Sequence, residues 1–575
     1  MTKSKGYTLR NKLSKKVKDA LHEYPEFVQE LLAARGVLTK KDAHTFFNPD
    51  YDEHMDNPFL IKDMGIAVER ILKAIDEKEH IAIYSDFDAD GIPGGALLHD
   101  FFKKVGHERF TNYIPHRDTE GYGFHEGAVD VLHKKGVTLI ITVDVGITNS
   151  ETVTHANARG IDVIVTDHHI PPKELPNAIA VINPQRVDET YSFKHFCGTG
   201  VAFKVVQAVL LAAREQKKEW VANIPVGWEK WLLDLVAIAT VGDMVPLVDE
   251  NRTLVHFGLR VLRKSRRPGI SALCRKLRLN QSYITEDDIG FSIAPRINAA
   301  SRMGSPETAF ELLITSDVVV ANERAKELDT LNNKRKGQVA SIVRELKKRF
   351  EEDSDTAVLV AGNPKWNPAL LGLAANSLVE AYGKTACIWG REGTGSIKGS
   401  CRGNGQVNVV EMFNEAGDVL EQFGGHAHAG GFSVSHEKMH TLGDSFNAAY
   451  KIVAQKTEEK EVFADAEVAS ETIGRIQKML TQFSPFGMHN PKPIFVYKQV
   501  TVQAHRQFGQ DDAHIELLLV EEEQRAPQRA IAFFKSLESF TRTVSVGATV
   551  DVLCTIELSR FAGKTQLELR IVDIV

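Results

Sequence analysis

Apolar runs alternate with amphipathic stretches between residues 80 and 184. Four short runs rich in β-branched residues read HIAIYSD, TLIITVD, IDVIVTD and AIAVINP. Stretches with helical periodicity, such as GGALLHDFFKKVG and GAVDVLHKKG, separate them. Near-continuous apolar strands spaced by helices are typical of a parallel sheet that is covered on both faces. The pattern therefore predicts a parallel α/β domain.

A helical periodicity follows from residue 316 to residue 353. The apolar residues that carry it are Leu328, Leu331, Val339, Ile342, Leu346 and Phe350. We predict one long connecting helix, with Gly337 as its weakest position. Beyond it, TAVLVAG predicts a strand and NPALLGLAANSLVEAYG a helix, so a second α/β region is expected. The glycine-rich segments SIKGSCRG and FGGHAHAGGF are predicted to be loops.

The last part of the chain has the two-residue alternation of β-strands. The charged segment AQKTEEKEVFADAE is predicted to be a boundary. After Pro493 the strand candidates are FVYKQVTV, AHIELLLV, RAIAFF, TVDVLCTIEL and TQLELRIVDIV. We predict a small barrel of the OB type, a fold that hosts single-stranded nucleic acids. The predicted division is an N-terminal extension (1–75), a parallel-sheet α/β domain (76–315), the connecting helix (316–353), a second α/β domain (354–455) and the OB-like barrel (462–575).

Composition narrows the class of protein. The chain has 575 residues, which is too long for one hydrophobic core. No apolar run reaches the roughly 20 residues of a membrane span, and the polar start MTKSKGYTLRNKLSKK is unlike a signal peptide. The five cysteines form no CxxC pair, which favours a reducing cytoplasm over zinc binding or disulfides. A net charge of −6 means that any binding of nucleic acid depends on local basic patches.

Acidic residues follow three successive predicted strands. Asp86, Asp144 and Asp167 come directly after the first, second and third strand, and Asp88 and Asp90 continue the first motif, SDFDADG. Because ligands of parallel sheets bind beyond the carboxyl ends of the strands, these carboxylates are expected to converge. Carboxylates this close repel one another, and burying them requires a cation.

Two further motifs complete the set: TDHH, with His168 and His169, and VGDMVPL, with Asp243. Oxygen ligands with one or two imidazoles suit Mn²⁺ or Mg²⁺, and this many carboxylates exceed the needs of one ion. We therefore predict a pair of divalent cations that act on a phosphoryl group. Taken singly, the aspartates could cap helices and the histidines could be structural. A calcium loop is disfavoured because its twelfth position is Leu97.

The ordered motifs DxDxDG, TVD, TDHH and GDMVPL, followed by IAPRINAASRMG and FGGHAHAGGF, resemble the DHH phosphoesterase superfamily. PHRDTEGYGF, LDLVAIATVGDMVPL and the trailing barrel extend the likeness over nearly the whole chain. The resemblance is greatest to its single-strand-specific 5′→3′ DNA exonucleases. It implies a DHH domain, a DHHA1-type α/β domain after the long helix, and a C-terminal OB-like domain. It also implies hydrolysis of single-stranded DNA with two Mn²⁺ or Mg²⁺ ions, in repair and recombination.

The resemblance also implies roles for individual residues. Asp88 and Asp90 would each bind one ion, Asp144 would bridge both, and His168 and Asp243 would each bind one. Asp86 and Asp167 would support this shell, and His169 would face the scissile phosphate. The residues implied to contact substrate phosphates are Arg117, Arg296, Ser400, Arg402 and His426. The chain departs from the superfamily pattern at Ile92 to Gly95, Val145 and Asn367, none of which is an implied metal ligand.

Three functions remain open on the sequence: the single-strand exonuclease, a DHH phosphodiesterase of short oligonucleotides or cyclic dinucleotides, and a catalytically silent nucleic-acid-binding scaffold. The long β-rich tail favours the first. Single-stranded DNA is then the expected partner, with a helicase and a single-strand-binding protein as candidates and no membrane. The basic stretches 260–280 and 332–337 are either the walls of a DNA groove or solvated helix faces.

Overall fold

The computed structural model describes residues 6–10, 13–350, 356–391, 397–454, 462–509, 512, 514–521, 526–561 and 564–575. The predicted boundary segment around residues 455–461 lies outside this range. The chain begins with β1 (Tyr7–Leu9), α1 (Lys15–Ala20), α2 (Glu26–Ala33) and α3 (Lys40–Phe47). Within the described residues, no helix combines the length and the apolar character needed to cross a bilayer.

A five-stranded parallel sheet forms the centre of the first α/β region. Its strands are β2 (Ile81–Ser85), β3 (Phe110–Tyr113), β4 (Leu139–Val143), β5 (Asp162–Thr166) and β6 (Ala180–Ile182). They lie in the order β3-β2-β4-β5-β6, and every pairing is parallel. The four predicted strands are therefore confirmed, and β3, a half-buried edge strand, is an addition. Strands β2 and β4 are completely buried, which explains their unbroken apolar sequences.

Helices cover both faces of this sheet. Those that pack on its strands are α4 (Met64–Asp76), α5 (Gly91–Lys104), α6 (Glu126–Lys134), α7 (Ser150–Asn157) and α8 (Gly198–Glu215). The region continues with α9 (Leu233–Gly242), α10 (Asp249–Lys264), α11 (Pro268–Leu277), α12 (Glu286–Asp288), α13 (Ala294–Met303) and α14 (Glu307–Ile314), which pack mainly on other helices. One turn of π-helix, Ile289–Ile293, leads into α13. Helix α15 (Val318–Phe350) is the predicted connecting helix, and Gly337 does not interrupt it.

The second α/β region has a mixed sheet. Its elements are β7 (Val358–Gly362), α16 (Pro368–Tyr382), β8 (Thr385–Arg391), β9 (Ile397–Arg402), α17 (Val409–Ala416), β10 (Gln422–His426), β11 (Ala429–Val434) and α18 (Leu442–Val453). The strand order is β10-β11-β9-β8-β7, with only β7 and β8 parallel.

The prediction of loops for SIKGSCRG and FGGHAHAGGF is wrong, because these segments form β9 and the hairpin of β10 and β11. Their glycines serve packing on the sheet. A Cβ on Gly399 would lie 2.1 Å from the ring of Phe432, so only glycine allows the ring to cover the strand. Gly425 has a φ of +149° where the β10–β11 hairpin closes, a conformation that favours glycine.

The last part of the chain is a closed barrel. The elements of this part of the chain are β12 (Val462–Ala464), β13 (Ala466–Val468), α19 (Ser470–Leu480), β14 (Phe495–Phe508), β15 (His514–Val520), β16 (Gln528–Phe533), β17 (Thr549–Phe561) and β18 (Lys564–Ile574). Strand β12 lies outside the barrel sheet, which consists of β13 to β18. The five predicted strands correspond to β14 to β18, and the pairing of β14 with β17 closes the sheet. This confirms the predicted fold class, α/β regions joined by a long helix and followed by an OB-like barrel.

The N-terminal residues belong to two cores. Helix α4 packs in the core of the first α/β region. Helix α2, by contrast, contributes Val28, Leu31 and Leu32 to the core of the barrel. Strand β1 also pairs in parallel with β12. The first residues of the chain therefore complete a domain whose strands come from its other end.

Candidate active site

Three aspartates stand on the loop between β2 and α5. The side chain of Asp88 accepts hydrogen bonds from the backbone N–H groups of Asp90 (2.8 Å) and Gly91 (3.1 Å), and this fixes the start of α5. Asp86 is buried, and its Oδ1 has no hydrogen-bond partner among the described residues. The loop therefore presents a carboxylate oxygen that no protein donor satisfies.

Asp90 is held by the N-terminus of α8. Its two carboxylate oxygens accept from the backbone N–H groups of Gly198 (2.6 Å) and Thr199 (2.7 Å). A Cβ on Gly198 would lie 2.5 Å from the Cβ of Asp144, so glycine is needed for the helix to approach both acids. The partial positive charge of a helix N-terminus stabilises carboxylates. The predicted ligand set did not include this support, although the glycines of CGTG are a signal for a helix N-terminus that approaches an anion.

Asp144 follows β4 in the left-handed region, with a φ of +61°, a conformation that aspartate tolerates better than most residues. Nε2 of His168 lies 3.1 Å from Oδ1 of Asp144, yet this oxygen has no hydrogen-bond partner among the described residues. Nε2 also lies 3.6 Å from Oδ2 of Asp243 and 3.7 Å from Oδ2 of Asp90. One imidazole nitrogen thus faces three carboxylates, which is the arrangement of ligands around an ion.

Asp167 is directed inward and acts on the neighbouring histidine. It accepts hydrogen bonds from the backbone N–H groups of Ile147 (3.0 Å) and His168 (2.7 Å), and its Oδ1 lies 2.8 Å from Nδ1 of His169. The hydroxyl of Tyr122 lies 3.4 Å from the same nitrogen. With Nδ1 engaged in this way, Nε2 of His169 is the nitrogen that remains to contact a substrate.

Charge in this cluster is unbalanced. Burial, followed by the charges of Asp90, Asp88, Asp86 and Asp243, raises the pKa of Asp144 well above its usual value. Burial and the charge of Asp88 likewise raise the pKa of Asp86. Burial and the charges of Asp90 and Asp88 raise the pKa of Asp243 to about 9. These carboxylates destabilise one another until a cation joins them.

The two histidines differ. Burial lowers the pKa of His168, which keeps its imidazole neutral and available as a ligand. Burial also lowers the pKa of His169, but the hydrogen bond and the charge of Asp167 outweigh it and raise this pKa to about 9. Its partner Asp167 therefore holds Nδ1 of His169 and leaves Nε2 facing the cluster.

The donor set fits divalent cations. Three overlapping groups place their ligand atoms within 4.8 Å of one another: Asp86, Asp88 and Asp144; Asp90, His168 and Asp243; and Asp144, His168 and His169. Carboxylate oxygens and neutral imidazole suit Mn²⁺ or Mg²⁺. Asp144 belongs to two of the groups, which supports the bridging role that the resemblance implies. Asp86 lies among the ligand atoms, and Asp167 does not.

Two arginines border this cluster. The guanidinium of Arg117 lies 4.3 Å from the ring of Phe87, and its buried Nε has no hydrogen-bond partner among the described residues. Burial lowers the pKa of Arg117, and the charges of Asp86 and Asp88 oppose this. Arg296 instead pairs with Asp329 of α15 at 3.1 Å. Arg117 is therefore the freer of the two to contact a phosphate.

The remaining predicted contacts lie in the second α/β region. Nη1 of Arg402 donates to Oγ of Ser400 (3.0 Å) and to the carbonyl of Cys401 (2.8 Å). Burial lowers the pKa of Arg402. A Cβ on Gly372 of α16 would lie 2.5 Å from Nη2 of Arg402, so this glycine makes room for the guanidinium. His426 is exposed at the end of β10.

The departures from the superfamily pattern have local structural reasons. A Cβ on Gly94 would lie 2.5 Å from Val143, and one on Gly95 would lie 2.7 Å from the hydroxyl of Ser85, so these glycines allow α5 to pack closely on the sheet. Val145 is buried in a core cluster. Asn367 caps α16 by accepting from the N–H of Ala369 at 2.8 Å. None of these residues replaces a ligand of the acidic cluster.

Comparisons with known proteins agree with this geometry. Residues 80–240 match the DHH family N-terminal domain, residues 355–455 the DHHA1 domain, and residues 464–573 the RecJ OB domain. The chain is 32% identical over 569 residues to the single-stranded-DNA-specific exonuclease RecJ of Bacillus subtilis, covering 97% of this chain and 69% of the relative. It is 31% identical over 504 residues to the RecJ of Escherichia coli, covering 85% and 86%.

A solved structure supports the same assignment. The crystal structure of RecJ in complex with Mn²⁺ from Thermus thermophilus matches with a TM-score of 0.79 and 25% identity. The match covers 98% of this chain and 77% of that one. The likeness extends from the acidic cluster to the last strand of the barrel, and on this evidence the chain belongs to the RecJ family of the DHH superfamily.

Proposed function

We propose that this protein degrades single-stranded DNA from the 5′ end and releases 5′-mononucleotides by metal-dependent hydrolysis, in DNA repair and recombination. The observation that carries the proposal is the convergence of five aspartates and His168 beyond the carboxyl ends of three parallel strands. The relatives named above are single-stranded-DNA-specific exonucleases. The barrel, which short-substrate DHH enzymes would not need, favours a strand over a small ligand.

We assign the ligands of two ions to this cluster. Asp86, Asp88 and Asp144 would hold one, and Asp90, His168 and Asp243 would hold the other, with Asp144 shared. When bound, two divalent cations supply a water nucleophile at neutral pH and stabilise the charge on the attacking and leaving oxygens. The helix N-terminus at Gly198 keeps Asp90 oriented.

The other residues act on the substrate directly. His169 is held by Asp167 and donates from Nε2 to an oxygen of the scissile phosphate. Arg117 is packed on Phe87 and binds the same phosphate with its fork of N–H groups. Ser400 and Arg402 bind the 5′-terminal phosphate across the cleft, with His426 nearby on the same sheet. Arg296, which the resemblance also implied as a phosphate contact, differs from these residues: its ion pair with Asp329 gives it an indirect role, positioning the start of α13.

Duplex DNA is not expected to be a substrate by itself. The sequence has no GxxxxGK[ST] motif of a strand-separating motor. We infer that a helicase and a single-strand-binding protein would supply its substrate. All five cysteines are buried free thiols, which is consistent with work in a reducing cytoplasm.

The decisive test uses end-labelled oligonucleotides, single-stranded and blunt duplex, with Mn²⁺, Mg²⁺ or a chelator. We expect mononucleotides from a 5′ label on the single strand, little reaction on the duplex and none with the chelator. Release of a 3′ label first would overturn the polarity. Equal degradation of blunt duplex would overturn the strand specificity, and cleavage confined to dinucleotides or cyclic dinucleotides would favour the short-substrate alternative. Binding without any cleavage would favour the silent scaffold.

Arg402→Ala tests the terminal phosphate site. A charge-assisted contact with phosphate is worth about 1.5–3 kcal/mol, so the use of 5′-phosphorylated strands should fall roughly ten- to a hundredfold. Strands with a 5′-hydroxyl should be affected much less, because they lack the partner. Lys398→Ala, an exposed change on the same strand, is the control. A parallel loss on both kinds of end would show that Arg402 is a general contact.

A further inference from the structure

Asp243, a ligand of one proposed ion, stands on a loop that does little to hold its side chain. It follows α9 directly, and its side chain is 27% exposed, against 1% for Asp90. Among the described residues no N–H or hydroxyl group donates to the carboxylate of Asp243, whereas the start of α8 holds that of Asp90. Met244, the next residue, is exposed and has a φ of +59°. The position of Asp243 therefore depends on what holds the backbone of its loop.

A turn of the barrel domain, residues 483–490, lies against this loop, and we call it the barrel turn. The backbone N–H of Leu247 donates to the carbonyl of Met488 at 2.8 Å. A Cβ on Gly487 would lie 2.7 Å from Cδ1 of Leu247, so glycine lets the two segments touch. The Leu247 side chain is packed in the core of the first α/β region, where it has no free space to move into. The contact thus reaches a point four residues after Asp243.

The barrel turn is a fixed part of the barrel domain. It lies between α19 and β14, and Phe483 at its start belongs to the barrel core. Gly487 and Asn490 exchange backbone hydrogen bonds of 2.9 and 3.1 Å, which closes the turn. The buried side chain of Asn490 donates to the carbonyls of Phe483 (2.8 Å) and Pro485 (2.7 Å). The turn is therefore held by its own hydrogen bonds and does not behave as a loose linker.

Two buried side chains of the first α/β region bind the barrel turn. The guanidinium of Arg252, on α10, donates to the carbonyls of Phe483 and Ser484, each at 3.1 Å. The carboxylate of Glu286, on α12, accepts from the backbone N–H of Phe486 at 2.8 Å. Any other placement of the barrel would leave these buried charges without partners, at a large cost. The barrel turn is therefore docked in one position against the domain that carries the metal ligands.

We propose that the barrel turn is a positioning element of the metal site: through Leu247 it holds Asp243 in place to bind its ion. This inference rests on the proposed metal-dependent function. The barrel then contributes to the affinity for one ion, in addition to any contact with DNA. The other proposed ion, at Asp86, Asp88 and Asp144, has no ligand on this loop. Changes to groups that orient metal ligands typically weaken metal binding about 10- to 100-fold.

The test displaces the barrel turn by one methyl group. Mn²⁺ is titrated into the full-length protein by calorimetry, without DNA. We expect the wild type to bind two ions, and Gly487→Ala should bind one of them about tenfold more weakly and the other unchanged. Gly474→Ala is the control, because this glycine lies on α19 of the same domain and a Cβ there meets no atom within 4 Å. Its two affinities should match those of the wild type.

Asp243→Asn distinguishes a positioning role from a general loss of structure. If the barrel turn acts through Asp243, adding Gly487→Ala to the Asp243→Asn protein should not weaken its remaining Mn²⁺ binding further. A general loss of structure would weaken binding by the same factor in both backgrounds, and that result would overturn the inference.

Hydrogen exchange of the peptide that covers residues 244–248, measured without metal, reports on the contact itself. Exchange should be faster in Gly487→Ala than in the wild type and Gly474→Ala, because the N–H of Leu247 loses its acceptor. If Gly487→Ala does not fold by circular dichroism, Leu247→Ala removes the contact from the other side and should give the same results. Unchanged exchange, or faster exchange with both affinities unchanged, overturns the inference. Failure of the wild type to bind Mn²⁺ would instead overturn the proposed metal-dependent function.

Discussion

Replacing Asp90 by alanine is expected to destabilise the first α/β region, whereas replacing Asp144 by asparagine is not, although both variants should lose hydrolysis. Asp90 satisfies the N–H groups of Gly198 and Thr199 at the start of α8. Asp144 accepts no side-chain hydrogen bond at Oδ1 among the described residues. Both acids therefore belong to the proposed metal site, but only the loss of Asp90 removes hydrogen bonds that stabilise the fold.

The magnitudes follow from these contacts. Asp90→Ala leaves two buried N–H donors unsatisfied, at about 1–3 kcal/mol each, and the relief of repulsion offsets part of that. We expect a net loss of roughly 2–5 kcal/mol in the free energy of unfolding. Asp144→Asn removes a buried charge that four other aspartates repel, and asparagine tolerates the φ of +61°. Its free energy of unfolding should stay within about 1 kcal/mol of the wild type or rise.

The assay is hydrogen exchange of the peptide that covers α8, measured without divalent cations, together with urea unfolding followed by circular dichroism. Faster exchange at α8 in Asp90→Ala alone is the expected result. If Asp144→Asn loses as much stability as Asp90→Ala, Asp144 has a structural partner and is not the orphaned ligand described above. If Asp144→Asn retains normal hydrolysis with Mn²⁺, the shared-ligand assignment is wrong.

Two glycine-to-alanine changes in helices form a matched pair. Gly372→Ala places a Cβ 2.5 Å from Nη2 of Arg402, which is the far end of a flexible side chain, so the fold should persist. Because the guanidinium has to move, the preference for 5′-phosphorylated over 5′-hydroxyl strands should fall about tenfold. An unchanged preference would show that Arg402 does not contact the 5′-terminal phosphate. A Cβ at Gly337 meets no atom within 4 Å, so Gly337→Ala should raise the free energy of unfolding by about 0.5–1 kcal/mol. The preference for 5′-phosphorylated strands should not change. A lower stability in urea would contradict the description of α15 as a continuous helix.

The sequence predicted those parts of the fold whose structure is determined by residues close together along the chain. Fully buried parallel strands have continuous apolar sequences, and the order of such strands places Asp86, Asp144 and Asp167 at one edge of the sheet. Helix α15 has a regular apolar spacing that one glycine does not cancel. The parts that escaped prediction depend on residues distant in sequence. Glycine in β9 is explained only by the ring of Phe432.

The same holds for the candidate site. The motifs predicted the aspartates and histidines of the metal site. They did not predict the N–H groups of Gly198 and Thr199 that hold Asp90, because these residues lie more than a hundred positions from it. No motif in the sequence distinguishes Arg117 from Arg296 as a phosphate contact. The difference between them is that Asp329 neutralises Arg296, whereas the buried Nε of Arg117 has no hydrogen-bond partner among the described residues. Pairing of this kind is a property of the folded structure.

The sharing of one barrel core by the two ends of the chain has a consequence for synthesis on the ribosome. Val28, Leu31 and Leu32 share a core with strands β14 to β18, which begin at Phe495, about 465 residues later. At roughly 5–20 residues per second, helix α2 emerges some 20 to 90 seconds before its partners. During that interval the first α/β region can already form around α4, and the apolar face of α2 is uncovered. Chaperones that bind nascent chains would bind this apolar face of α2 soon after it emerges. The helix would be released only when the last strands of the barrel have been synthesised.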